Sequence, residues 1–121
     1  GDLFFDIITI TNWTNITEIK SDQFGSSHKT KIKPSLSIPN TITKIGNDAF
    51  RNFHLLQSIT IPNTITTIPQ NAFFSCRNLI HIKLSDSLTA IEKKSFDNCV
   101  RLIYIHIPST VTRIRHGVFH D

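Results

Sequence analysis

No stretch of the 121 residues approaches the ~20 consecutive apolar residues of a membrane-spanning helix, so this segment is not expected to insert into a membrane. No signal-peptide pattern opens it, although a mature or truncated chain would lack one as well. The four glycines never cluster into a loop that could cradle phosphate. Cysteine is limited to Cys76 and Cys99, with no C-x-x-C pair and no paired histidines spaced to join them, which argues against a zinc site. His116-x-x-x-His120 has the one-turn interval of some metal pairs but lacks the Glu of the zinc-protease motif and spans Gly117; no metal is expected there. Lys and Arg outnumber Asp and Glu by 13 to 9, a net charge of +4, yet no block of five or six like charges occurs. Nor is there a stacking-aromatic motif of the kind that grips RNA or single strands. The basic excess therefore reads as a scattered solvated surface and not as a nucleic-acid site. No Ser/His/Asp or Cys/His set is present, so neither catalytic residues nor a cofactor are expected.

What the chain does have is a period. Phe50, Phe73, Phe96 and Phe119 lie 23 residues apart, as do Ile45, Ile68, Ile91 and Ile114, and Thr43, Thr66, Thr89 and Thr112. Further apolar columns run in step: Leu56, Leu79 and Leu102; Leu36, Ile59, Ile82 and Ile105; Ile38, Ile61, Leu84 and Ile107. Such columns define a tandem array, whose units bury their apolar faces by stacking on one another. Within a unit, Leu56, Ile59 and Ile61 shift to a period of two, with Thr60 between two inward residues, the pattern of a short strand. Pro62-Asn63 predicts a type I turn with Pro at its second position. Ile65–Ile68 predicts a second short extended piece, and Gln70–Phe74 one helical or 3₁₀ turn. Thr41, Thr64, Ser87 and Thr110 form a hydroxyl column after each turn, placed to bond turn backbone.

Each unit thus reads L-x-x-I-x-I-P-x-T-I-T-x-I, a short polar stretch, Ala/Ser-Phe, and then Phe53, Cys76 or Cys99. This resembles the leucine-rich repeat of the BspA-like class, closely over residues 33–121. The departures are small: Phe53 for Cys, Lys33 for the leading Leu, Ser85 for Pro, and Pro69 and Glu92 where Gly46 stands. The resemblance implies a right-handed solenoid with short parallel strands on a concave face, mostly β and loop with little helix. It also implies a place among surface or secreted proteins, some of them adhesive. The chain reads as one array over residues 1–121. Residues 1–32 form an irregular first unit, and the regular repeats follow over 33–121, the last of them truncated. In the first unit, Ile16-Thr17-Glu18-Ile19 matches Ile42-Thr43-Lys44-Ile45, with insertions around Trp13 and within residues 25–31. Five strands are expected, starting near residues 5, 33, 56, 79 and 102. The array reads as a piece of a longer solenoid or assembly, with an atypical cap as the alternative. Two sequons, at Asn12 and Asn15, would matter only in a secreted eukaryotic protein.

The phenylalanine column should stack inside the coil, and the Thr43 column should face outward. Two readings of the cysteines compete. One is a pair of free, buried thiols that fill space. The other is a disulfide between adjacent coils, for which a strand spacing of ~4.8 Å is permissive but parallel side-chain directions are poor. Free thiols are favoured. On the concave sheet, three outward columns read Asp6, Pro34, Gln57, Ile80, Ile103; then Ile7, Ser35, Ser58, His81, Tyr104; then Thr9, Ser37, Thr60, Lys83, His106. The middle is small and polar, whereas the C-terminal end is apolar, aromatic and cationic. Clustered exposed apolar and aromatic groups mark interfaces. The candidate binding residues are therefore Ile80, His81, Lys83, Ile103, Tyr104 and His106, with a protein as the expected partner. A structural spacer or assembly subunit is the alternative, and an acidic polymer held by His81, Lys83 and His106 a third reading.

Overall fold

The computed structural model describes residues 16–20, 35–54 and 56–119. The expected strand near residue 5, the loop at 25–31, the sequon asparagines Asn12 and Asn15, and His120 lie outside these residues. Eight short strands are formed among them: β1 (Glu18–Ile19), β2 (Ser35–Ser37), β3 (Lys44–Ile45), β4 (Ser58–Thr60), β5 (Thr67–Ile68), β6 (His81–Lys83), β7 (Ala90–Ile91) and β8 (Arg113–Ile114). All pairing is parallel. The concave sheet runs β2-β4-β6, and a second face carries β1-β3 and, separately, β5-β7-β8.

The registers restate the period. Ser35 pairs with Ser58 and Ser58 with His81; Ile68 pairs with Ile91 and Ile91 with Ile114. Ile19 pairs with Ile45, a step of 26, so the irregular unit carries three additional residues between its second strand and the next. Three extended residues are too few for a strand to hold itself, so each depends on the neighbouring coil for its hydrogen bonds.

Turns join the strands. Ile42, Ile65, Leu88 and Val111 N–H groups donate to the carbonyls of Pro39, Pro62, Ser85 and Pro108. Pro or Ser therefore occupies the first turn position, and not the second as the sequence pattern predicted. A proline there leaves its carbonyl free to close the turn while giving up only an N–H. Of the helical or 3₁₀ turn expected over Gln70–Phe74, no helix is formed. Successive four-residue turns stand there, each closed by an i to i+3 bond of the 3₁₀ kind: Ala72 to Pro69, Phe74 to Asn71 and Cys76 to Phe73. Left-handed backbone at Asp48, Asn71 and Lys94, and again at Asn52, Ser75 and Asn98, keeps these turns from continuing as a helix.

The core is a column of rings. Phe50 and Phe73 stack at 5.3 Å and 1°, Phe73 and Phe96 at 5.4 Å and 2°, and Phe96 and Phe119 at 5.7 Å and 12°. Phe53 packs edge-on against Phe50. The first three rings of the stack are buried, but Phe119 is 48 % exposed, because no coil packs on its outer side among the described residues. The expectation that all four would be enclosed fails for that ring. Cys76 and Cys99 are buried and form no disulfide. Each thiol donates to a carbonyl of the preceding coil, Cys76 Sγ to Phe50 at 3.1 Å and Cys99 Sγ to Phe73 at 3.0 Å. The cysteines therefore tie coils together through hydrogen bonds as well as filling space.

The two hydroxyl columns do related work. Thr43, Thr89 and Thr112 are exposed and donate to the carbonyls of Thr17, Thr66 and Thr89. Thr64 and Thr110 donate to Ile42 and Asp86 carbonyls in the preceding coil. Asparagine side chains contribute too: Asn47 and Asn63 Oδ1 accept from Gln70 and Asp86 N–H groups one coil on.

Candidate functional site

The alternation along each concave strand follows from backbone geometry: Leu36, Ile59 and Ile82 point inward, and the residues on either side point out. Outward residues in the middle of the sheet are small. Ser35 and Ser58 hydroxyls lie 3.1 Å apart, and Ser37 and Thr60 are exposed beside them. Toward the C-terminal end the surface changes. His81 and Lys83 project from β6, and Ile80 immediately before it is 43 % exposed. Lys83 Nζ lies 4.0 Å from Asp86 Oδ1, with both groups largely solvated, which leaves the ammonium available to a partner.

Ile103, Tyr104 and His106 are also exposed, Ile103 at 92 % and Tyr104 at 69 %. They do not belong to the sheet, however. The strand expected near residue 102 is not formed. Ile38 and Ile61 N–H groups donate to Thr60 and Lys83 carbonyls on the next strand, but no equivalent bond runs from Leu84 to His106. The physical cause is one-sided burial: Leu102, Ile105 and Ile107 are only half-buried, whereas their counterparts Leu79, Ile82 and Leu84 are fully enclosed. The six candidate residues thus share exposure but divide into three anchored to β6 and three on an unpaired segment beyond it.

The sequence reading passed over other exposed apolar groups. Val100, Ile114 and Phe119 are 66, 51 and 48 % exposed. Ile114 and Phe119 belong to columns that are buried at every earlier described position, so only their place at the last described coil distinguishes them. Glu92 holds two cations there, Arg113 at 3.0 Å and Arg115 at 3.5 Å, and ties β8 to the preceding coil.

Reactive chemistry is muted. Burial pushes the Cys99 thiol from its ordinary 9.0 up to about 12; a hydrogen bond involving the Cys76 backbone opposes that rise and the Asp97 charge adds to it. A thiol held protonated at neutral pH is a poor nucleophile. No group of three or more metal-ligating side chains gathers among the described residues. No helix among them is long and apolar enough to cross a membrane.

A parallel-strand solenoid with no helix among the described residues, a 23-residue period and a stacked phenylalanine spine is a leucine-rich repeat array. The BspA type leucine rich repeat region matches residues 4–121 in six copies, one more than the five strand starts in the sequence, and the chain belongs to that family. A leucine-rich repeat protein from Bacteroides ovatus is similar at 28 % identity and a TM-score of 0.72, over 86 % of this chain and 26 % of that one. The T. pallidum leucine-rich repeat protein has the same fold at 24 % identity and a TM-score of 0.71, over 81 % of this chain and 45 % of its own. The chain therefore spans less than half the length of either structure. No curated protein matches it significantly. The repeat is generally a protein-interaction module and typically a non-enzymatic scaffold.

Proposed function

We propose that this array is a non-enzymatic protein-binding module that engages its partner at the C-terminal end of the concave sheet and on the unpaired segment just beyond it, in surface recognition or adhesion. The observation that supports this reading is the contrast along one face: small hydroxyl residues in the middle, then Ile80, Ile103 and Tyr104 held out to solvent beside Lys83, His81 and His106. A large exposed aromatic with flanking cations is the composition of an interface core and its rim. The test is capture of a partner by the wild-type chain beside variants. Tyr104→Ala should weaken binding by more than about 1 kcal/mol, and Ile80→Asp should abolish capture, while Thr60→Ala costs little. Lys83→Ala should act on association rate and salt dependence, as a rim charge does. Equal, negligible effects at Tyr104 and Thr60 would move the site off this face.

A second reading is supported by the outer face of the last described coil. Phe119, Ile114 and Val100 expose apolar surface on the last described coil, a face suited to packing by a further coil or by another subunit. A structural spacer of that kind would be indifferent to Ile80→Asp.

A further inference from the structure

The second face is cut between β3 and β5, and the cause lies in one residue. In the column that follows each second strand, Gly46, Glu92 and Arg115 N–H groups donate to the carbonyls of Ile19, Ile68 and Ile91. Pro69 occupies the same column and has no N–H to give. The adjoining rung fails with it. Thr43, Thr89 and Thr112 N–H groups donate to Thr17, Thr66 and Thr89 carbonyls, but Thr66 makes no such bond to Thr43. The two coils stay pinned on either side of the gap, by Thr64 Oγ1 on the Ile42 carbonyl at 2.6 Å and by Asp48 N–H on the Gln70 carbonyl at 3.0 Å.

Between the pins a groove of about 700 Å³ opens, with Thr43, Lys44 and Asp48 on one wall and Thr66, Thr67 and Pro69 on the other. That volume falls in the range of ligand sites, roughly 300–1,000 Å³. Six residues of wall, 43–48, run for roughly 16–20 Å at ~3.3 Å per residue. The walls carry the Ile45 carbonyl and the Thr66 N–H, whose counterparts bond across the seam in the other coils and which make no such bond across this one. Main-chain groups left over at a sheet edge are what an extended peptide pairs with. The formal charges at the rim cancel: Glu18 and Lys44 are neighbours in the β1–β3 register, and Asp48 holds Arg51 at 3.1 Å. Such a groove offers little to a phosphate, an anionic polymer or a strongly charged peptide.

We propose that the groove between β3 and β5 binds an extended, uncharged peptide segment of roughly five residues, recognised through its main chain. The site lies on the second face and does not depend on the concave patch.

The test is an NMR titration of the isotope-labelled chain with a pool of capped five-residue peptides built from uncharged residues. A matched pool, N-methylated on alternate amides, removes main-chain donors and leaves side chains in place. Shifts should be confined to Gly46, Thr66 and Thr67 amides, and N-methylation should weaken binding roughly tenfold, the cost of one unmet hydrogen bond. Pro69→Glu restores the donor that Glu92 provides one coil on; it should close the seam, protect the Thr66 amide and abolish the response. Pro69→Gly, the residue at position 46, serves as a second variant should the first disturb folding. The premise is checked without any peptide: the Thr66 amide should exchange faster than those of Thr89 and Thr112. Equal protection of the three would show a closed seam and overturn the proposal. So would a silent titration across the pool, as for a groove that holds only water, or an undiminished response from the N-methylated pool or from Pro69→Glu.

Discussion

Truncation of the central ring, Phe73→Ala, tests the packing on which the array rests. Phe73 has no exposed surface and lies between two stacked neighbours, Phe50 and Phe96. Burial of such a side chain contributes about 1.5–3 kcal/mol, and each favourable ring contact adds about 0.5–1.5 kcal/mol. Parallel coils pinned by backbone bonds cannot collapse far into the space left, so a cavity term adds to the loss. The expected cost is about 3–5 kcal/mol. A chain of 121 residues has a total stability of roughly 6–18 kcal/mol at ~0.05–0.15 kcal/mol per residue, so the loss is a large part of it. Phe119→Ala removes a ring of the same column that is half-exposed and stacked on one side only, and it should cost about 1–2 kcal/mol. Urea melts of the two variants give the comparison, and hydrogen exchange shows whether the coils on both sides of Phe73 lose protection together. An unchanged melt for Phe73→Ala, or equal costs at the two positions, would refute the stacked-spine account.

Ser95 stands where Ala49 and Ala72 stand in earlier coils; it is fully buried and its hydroxyl has no partner, so Ser95→Ala should raise stability by about 1–2 kcal/mol in a thermal melt. Lys94 has φ 55° in a column otherwise occupied by Asp48, Asn71 and Gly117, and Lys94→Asn should gain up to about 1 kcal/mol by the same measurement. The raised pKa of Cys99 means that the unfolded chain loses the thiol proton first. Its contribution to stability is whole below about 9.0 and is lost as pH rises toward about 12, and Cys99→Ala should flatten that fall in urea melts across the window.

The sequence by itself determined the repeat, the inward and outward columns and the parallel register, because each is a local code. A 23-residue period fixes which residue stacks on which, and alternation about Ile59 or Ile82 fixes which side chains face the core. The match of Ile16–Ile19 to Ile42–Ile45 was legible in the same way, and its register confirms it. The tertiary structure alone decided which rungs of the ladder close. Leu102-x-x-Ile105-x-Ile107 spells a strand as clearly as Leu56-x-x-Ile59-x-Ile61, yet it stays unpaired, because pairing requires burial on both sides and that depends on the next coil. The candidate residues were visible as a change of composition, but their division into an anchored and an unanchored half was not. Pro69 in the column of Gly46 was visible too. That its missing N–H opens the second face follows only once the coils are superposed and the partner of every other donor in that column is known. Side-chain direction is set within a strand, whereas a hydrogen bond between coils needs two segments, distant in sequence, brought to the right separation.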